Sequence, residues 1–562
     1  MPEDRETPNN GGSHATTDYV GQETVPLRLR LPLLHGWDLF EITVSELQSH
    51  FSAGHFSSSD YVSFCLAHAR TLNPYLEAII ETNPDAVSIA QKLDEERRQG
   101  KLRGPLHGIP VLIKDNIATA DSMHTTAGSW ALLGSVVAKD AFVVSRLREA
   151  GAVVLGHSNM CEWASGRSKD ESVGYSARGG QARNPYDLRK TPLGSSSGSA
   201  VSVSANIVPI AVGTETDTSV IGPAAINGIV GIKPTVGLTS RSGVIPLSEN
   251  LDSVGSFGRT VADAVACLDG MVGVDGEDPA TKFSAGLDAT PFLSCLQTSA
   301  ALRGAKFGLP MKRCWELVPP SCRPVAMRVL DAIKRAGAEI IEVDLPSIEE
   351  RTRVDGIWDW EHGGLGKSEW TVVQIDAHNG INAYLAQLVE SPVRSIEDIV
   401  AYNIENTGTE GGLPGSIPAF PSGQERLTEI VEGRGIRDDT YYSALDHIRK
   451  QTRENGIDAA LSYKDPSTGV TTALDALLFC DRLCVGQQYA AQAGYPIICI
   501  PIGLDTNGIP VSLSLQQSAW KEKELVKWAS AIEDLWKLEH GVRDIPTFKN
   551  LHAKNIPIED ID

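Results

Sequence analysis

Nothing in this chain of 562 residues approaches the ~18 consecutive apolar residues that a membrane-spanning helix requires. Positive charge is in deficit as well. The 50 Lys and Arg face 71 Asp and Glu, a formal net of -21 that repels nucleic-acid phosphates and anionic headgroups. Nucleic acid and membrane are therefore set aside as partners. Cysteine is sparse and unpatterned: the nine residues are odd in number and scattered, and the nearest pair, Cys480 and Cys484, has neither CxxC spacing nor accompanying histidines. They read as reduced core or helix-face residues, and no metal is expected. No Asn-x-Ser/Thr acceptor occurs, and the C-terminus carries no lipidation or peroxisomal signal. The opening MPEDRETPNNGGSHATTD is acidic and polar without an apolar core, so it reads as a loose tail rather than a secretory signal. Together these absences point to a cytoplasmic protein.

What is present is enough apolar material, 41% of residues, for one large core or two ordinary ones. Between residues 43 and 103, VSELQSHF, SDYVSFCLAHARTLNPYLEAII and DAVSIAQKLDEERRQ place apolar residues three and four apart, a helical lead-in. From Gly108 the pattern changes to VLIKD, the helix-like DAFVVSRLREAGA, then VVLG: strand, helix, strand. The alternation returns in RPVAMRVLDAIKRAGA with EIIEVDLP, and in PIICIPIGL, VSLSLQQ and the amphipathic stretch after Lys521. The expected fold class is α/β, a large mixed β-sheet covered by helices on both faces, in a single catalytic domain with a helical N-terminal lead-in. The expected divisions are an acidic tail over 1–25, a helical region over 26–103, the core over 104–345, an insertion over 346–440, the rest of the core over 441–545 and a tail over 546–562. Glycine, proline and Trp358, Trp360 and Trp370 break the rhythm within the insertion. No internal repeat of 20–50 residues is present.

The chemistry concentrates between Gly104 and Arg259. LGSSSGSA (193–200) and GTETDTSVIGPAAINGIVGIKPT (213–235) flank one apolar segment, VSVSANIVPIAV. A single run of this kind is commonly a plain loop. Two such runs let backbone N–H groups crowd around a ligand and build the anion-binding hollow that a hydrolase needs for its oxyanion. Serine also needs a base to take its proton. Lys114 ends the apolar strand VLIKD, where an ammonium is costly unless paired or neutral, and desolvation there would make it a base at neutral pH. A salt bridge or a snorkelling lysine beside Asp115 is the plainer reading. Carboxyl ends of strands are where α/β proteins place their sites. Residues 194–198 also match the G-x-S-x-G elbow of α/β-hydrolases, but PYDLRKTPL before them is charged and proline-marked instead of an apolar strand.

In this order and spacing, GPLHGIPVLIKDNI, TTAGS, AGAVVLGHSNMCEWA, GSSSGSA and GTETDTS followed by PAAINGIVGIKPTVGLTSRSGVIP resemble the amidase-signature family, closest in style to its peptide-amidase-like branch. The likeness begins near VSELQSHFSAGHFSS and resumes in GIDAALS, AGYPIICIPIG and NGIPVSLSL. It implies the amidase-signature fold and a Ser-Ser-Lys triad that hydrolyses an amide through an acyl-enzyme. Ser219 aligns with the nucleophile, Ser195 with the bridging serine held by a cis peptide, and Lys114 with the base. The implied oxyanion hole consists of the backbone N–H groups of Thr216, Asp217, Thr218 and Ser219. No cofactor is implied. The partner expected is a small-molecule amide, with a homodimer left open.

Departures from the family pattern matter. Asp217 and Thr218 stand where two glycines are frequent, and Ile221 replaces an arginine common two residues after the nucleophile. That weakens the alternative of a glutaminase subunit of an amidotransferase; a catalytically silent family member is the other alternative. Three geometric expectations follow. The Gly194-Ser195 peptide is cis; Thr218, being β-branched, keeps negative φ; and Ser195 Oγ bonds both Ser219 Oγ and Lys114 Nζ. The three tryptophans either wall an apolar acyl pocket or pack the insertion onto the core.

Overall fold

The computed structural model describes residues 25–357, 359–480 and 485–561, so the N-terminal tail, Trp358 and Cys484 lie outside the described residues. Eleven strands build one sheet: β1 Ile79–Thr82, β2 Pro110–Lys114, β3 Val153–Ser158, β4 Ile210–Glu215, β5 Val230–Lys233, β6 Ser253–Gly258, β7 Lys306–Pro310, β8 Glu339–Val343, β9 Ala476–Cys480, β10 Ile497–Leu504 and β11 Pro510–Gln516. Their order across the sheet is β1-β3-β2-β4-β6-β5-β10-β11-β9-β7-β8. β2 runs parallel to β3 and β4, and β7 parallel to β8 and β9, while the centre is antiparallel, so the sheet is mixed. Every residue of β2 to β6 and of β11 is buried. Because successive side chains point to opposite faces, both faces of these strands are covered. Helices Val261–Asp269, Arg323–Arg335 and Glu522–His540 supply apolar faces to the common core.

The lead-in helices start where local chemistry tells them to. Thr43 with Glu46, and Ser57 with Asp60, form capping boxes for helices Val44–Ala53 and Ser58–Leu76. The second helix ends sooner than its periodicity suggests. Glu77 takes φ 46° and Ile79–Thr82 leaves as β1, antiparallel to β3. Two isoleucines and a threonine fit a pleated edge better than a helix, and β3 is there to pair with them.

A second apolar cluster joins the segment after β8 to the core. Trp360 and Trp370 stack at 5.4 Å, Arg426 lies over both rings, and helix Glu369–Gln387 packs against Met160, Trp163, Ile245 and Leu247. Within it, the buried Arg167 bridges Glu162 and Glu410, with its guanidinium 4.1 Å from the Phe420 ring centroid. Among the described residues, no helix is long and apolar enough to cross a membrane.

Candidate active site

The parallel register of β3, β2 and β4 brings the carboxyl ends of β2 and β4 together. Lys114, the last residue of β2, is fully buried. Its Nζ donates to Ser195 Oγ at 2.7 Å, Thr214 Oγ1 at 2.9 Å and Thr214 O at 3.1 Å. Two of these partners are hydroxyls, which can donate to an amine lone pair as readily as they accept, and among the described residues no carboxylate forms an ion pair with the nitrogen. Such surroundings accommodate a neutral amine. Burial accordingly pulls the Lys114 pKa from 10.5 to about 7, although Asp252 and Glu215 oppose the shift. Asn116 Nδ2 donates to the same Thr214 hydroxyl at 3.0 Å, which holds that oxygen toward the lysine.

Ser195 enters from the first Ser/Gly run. The Gly194-Ser195 peptide is cis, as expected. A Cβ on Gly194 would come within 2.2 Å of Cys161 Sγ, so any larger residue there must displace that sulfur. Helix Ser197–Ser204 begins inside the run, and a Cβ on Gly198 would meet Ala78 O at 2.2 Å and Asn159 N at 2.4 Å. The small residues of GSSSGSA therefore dock the segment against β1 and β3. Ser196 N donates to Ser219 O at 3.1 Å and ties the two runs together.

The second run is the turn between β4 and the short helix Ile221–Ile226. Glu215 Oε2 accepts from Val220 N at 2.6 Å and Ile221 N at 2.9 Å, and Gly222 N donates to Thr218 O at 2.8 Å. These bonds close the turn so tightly that Thr218 sits at φ 58°. The expectation of negative φ is thus wrong. The turn bonds outweigh the roughly 1–2 kcal/mol that a non-glycine residue loses in the left-handed region. Among the described residues, the N–H groups of Thr216, Thr218 and Ser219 donate to no other residue. Ser219 Oγ donates to Asp217 O at 3.3 Å. No hydrogen bond joins it to Ser195 Oγ, so of the two links expected at Ser195, the structure has the one to Lys114.

Four residues of the site escaped the sequence reading. Thr214 and Glu215 lie in the quoted motif and could have been found from strand alternation. Cys161 and Asp252 carry no local signal. Asp252 accepts from Thr216 Oγ1 at 2.6 Å and from the N–H groups of Leu247 and Ser248, yet burial raises its pKa to about 6. It also lines a cavity of about 1050 Å³ bounded by the 235–252 loop, helix Glu369–Gln387 and residues around Arg449, Arg453 and Tyr495. Lys114, Ser195 and Ser219 do not line this cavity; Asp252, which does, is tied by its hydrogen bond to Thr216 of the 213–219 turn. Neither do Trp360 and Trp370, which are stacked in the second core.

Comparison with known proteins gives this geometry a family. The family described as Amidase matches residues 60–400. A Schizosaccharomyces pombe protein carrying an amidase designation is 45% identical over 96% of this chain and 93% of its own length. The solved peptide amidase of Stenotrophomonas maltophilia superposes with a TM-score of 0.78 at 38% identity, over 91% of this chain and 99% of that one. The glutamyl-tRNA(Gln) amidotransferase of Rhodopirellula baltica supplies a more distant relative, one of its subunits, 30% identical over 91% of this chain and 99% of its own length. With the signature segments folded around the buried Lys114 and two serine runs, and with relatives that match nearly end to end, this chain belongs to the amidase family and is an amidohydrolase acting on carbon-nitrogen bonds.

Proposed function

We propose that the chain hydrolyses a small-molecule carboxylic amide through a Ser219 acyl-enzyme, with Ser195 and Lys114 as the proton relay. The observation that carries this reading is the 2.7 Å bond between a buried Lys114 Nζ and Ser195 Oγ, with burial holding the lysine near neutrality. Neutral Lys114 accepts the Ser195 proton, and Ser195 takes the Ser219 proton as Ser219 Oγ bonds to the amide carbon. Rotation about χ1 swings Ser219 Oγ from Asp217 O toward Ser195; catalytic hydrogen bonds are often loose before substrate arrives. The carbonyl oxygen becomes an oxyanion facing the N–H groups of Thr216, Asp217, Thr218 and Ser219. The relay then runs backward, protonating the leaving amine as the carbon-nitrogen bond breaks. Water enters by the same path, giving its proton to Ser195 and its oxygen to the acyl carbon, and Ser219 leaves with a proton.

The segment 346–440 forms one wall of the substrate pocket in this reading. Asp376, Gly380 and Tyr384 of helix Glu369–Gln387 line the cavity beside the 213–219 turn. The test is Ser219→Ala, which should lose roughly 10³–10⁶ of the rate while retaining its fold, because triad members act as a unit. Mass spectrometry of the wild type quenched during turnover should find the acyl group on Ser219. Activity above a few per cent in the variant, or an adduct on another residue, would refute the assignment.

A further inference from the structure

The cavity beside the 213–219 turn carries charge in an uneven way. Its wall holds four arginines and five acidic residues. Most are already paired: Arg241 with Asp278, Arg437 with Glu249 and Asp376, and Glu277 with Lys139. Asp252 is held by three neutral donors. Arg449 and Arg453 remain. Arg449 closes helix Asp439–Thr452 and Arg453 follows it by four residues.

Among the described residues, neither arginine meets a carboxylate at ion-pair distance. Arg449 Nη2 donates to the neutral Asn250 Oδ1 at 2.7 Å, and its buried Nε has no acceptor. Arg453 Nε donates to Ala493 O at 2.7 Å, with the guanidinium 5.5 Å from the Tyr495 ring centroid. The acid felt most by Arg453, Asp458, is engaged by Tyr495 Oη at 2.9 Å and Ser518 Oγ at 2.8 Å. After burial, the charge of Arg449 is the largest influence lowering the Arg453 pKa, so the two cations feel one another. Like charges sharing a half-buried wall are relieved by an anion between them, and a guanidinium fork matches a carboxylate.

We propose that Arg449 and Arg453 form a carboxylate-recognition subsite, so that the preferred substrates are amides whose acyl part ends in a carboxylate. The inference rests on the hydrolytic reading above and adds a substrate class to it. Asp252 on the cavity wall accepts from Thr216 Oγ1 at 2.6 Å, which sets the cavity against the catalytic turn, and in this proposal the acyl chain runs past that pair from amide to arginines.

The test compares ω-carboxylated amides, from succinamate to suberamate, each against the uncharged alkanamide of the same carbon count. At least one carboxylated member should exceed its neutral partner in kcat/KM by roughly 10- to 100-fold, the scale of hydrogen bonds to charged groups. That ratio should collapse toward one in Arg449→Gln and in Arg453→Gln, survive largely in Arg453→Lys, and shift toward ω-amino amides in Arg449→Glu. Calorimetric titration with adipate gives a readout independent of turnover: saturable binding in the wild type, lost in the Gln variants. If amides are hydrolysed but no ratio exceeds about 2-fold, or the ratio persists in both Gln variants, the subsite is wrong and the hydrolytic reading stands. If no amide is hydrolysed while adipate binding still depends on the arginines, the hydrolytic reading fails and the subsite stands.

Discussion

Replacing Lys114 by methionine separates its chemistry from its packing. Methionine keeps a similar length and flexibility but cannot accept a proton. A pKa held at about 7 instead of 10.5 means that the site disfavours the ammonium form by about 5 kcal/mol relative to water, at about 1.4 kcal/mol per pKa unit. Two consequences follow. The base works only when neutral, so kcat/KM of the wild type should fall about tenfold per pH unit below about 7 and level off above it. In Lys114→Met this limb should vanish and the remaining rate be roughly 10³-fold lower or less.

Stability carries the same signature with its own sign. The unfolded chain holds the Lys114 proton up to 10.5 and the folded chain releases it near 7, so between those values the unfolded state binds more protons and stability rises with pH. From pH 7 to pH 9 the unfolding free energy of the wild type should therefore gain about 2 kcal/mol on that of Lys114→Met. Against this, methionine leaves Ser195 Oγ and the Thr214 oxygens short of a donor, a pH-independent loss of about 1–3 kcal/mol. Urea unfolding of both proteins at pH 7, 8 and 9, beside pH-rate profiles for ammonia release, reads all of these. An unchanged rate profile in Lys114→Met, or a stability difference that stays flat with pH, would show that Lys114 is not held neutral.

Three further changes test other parts of the site. Gly194→Ala drives a Cβ into Cys161 Sγ and should abolish activity and lower the melting temperature; Gly194→Ala with Cys161→Ala removes the obstructing sulfur and should recover much of both, and failure to recover would deny the contact. Thr218→Gly removes a left-handed β-branched residue, so stability should hold or rise by up to about 1 kcal/mol with activity retained, whereas a marked loss of stability would mean that the turn does not carry this strain. Trp370→Ala should cost about 3–5 kcal/mol of stability through loss of a stacked, buried ring, without altering preference among acyl chains; a changed preference would place the tryptophan at the substrate.

The amino-acid sequence by itself determined the parts of this protein that are local. Apolar runs such as VLIKD and PIICIPIGL announced buried strands, the three- and four-residue spacing over 43–103 announced the lead-in helices, and the ordered signature segments singled out Lys114, Ser195 and Ser219 because short motifs carry their own geometry. Other features depend on partners distant in the chain. Ile79–Thr82 became a strand because β3 offered it an edge, which no helical period within the segment could foresee. Thr218 took positive φ because Glu215 and Gly222 close the turn around it, a balance of hydrogen bonds against strain that residue preference alone misjudges. Asp252 reached Thr216, and Arg449 and Arg453 came to face the same cavity, only when the sheet order and helix Glu369–Gln387 placed them there. Tertiary structure decided these contacts because burial and charge pairing are properties of the assembled surroundings, shared among segments that are each unremarkable on their own.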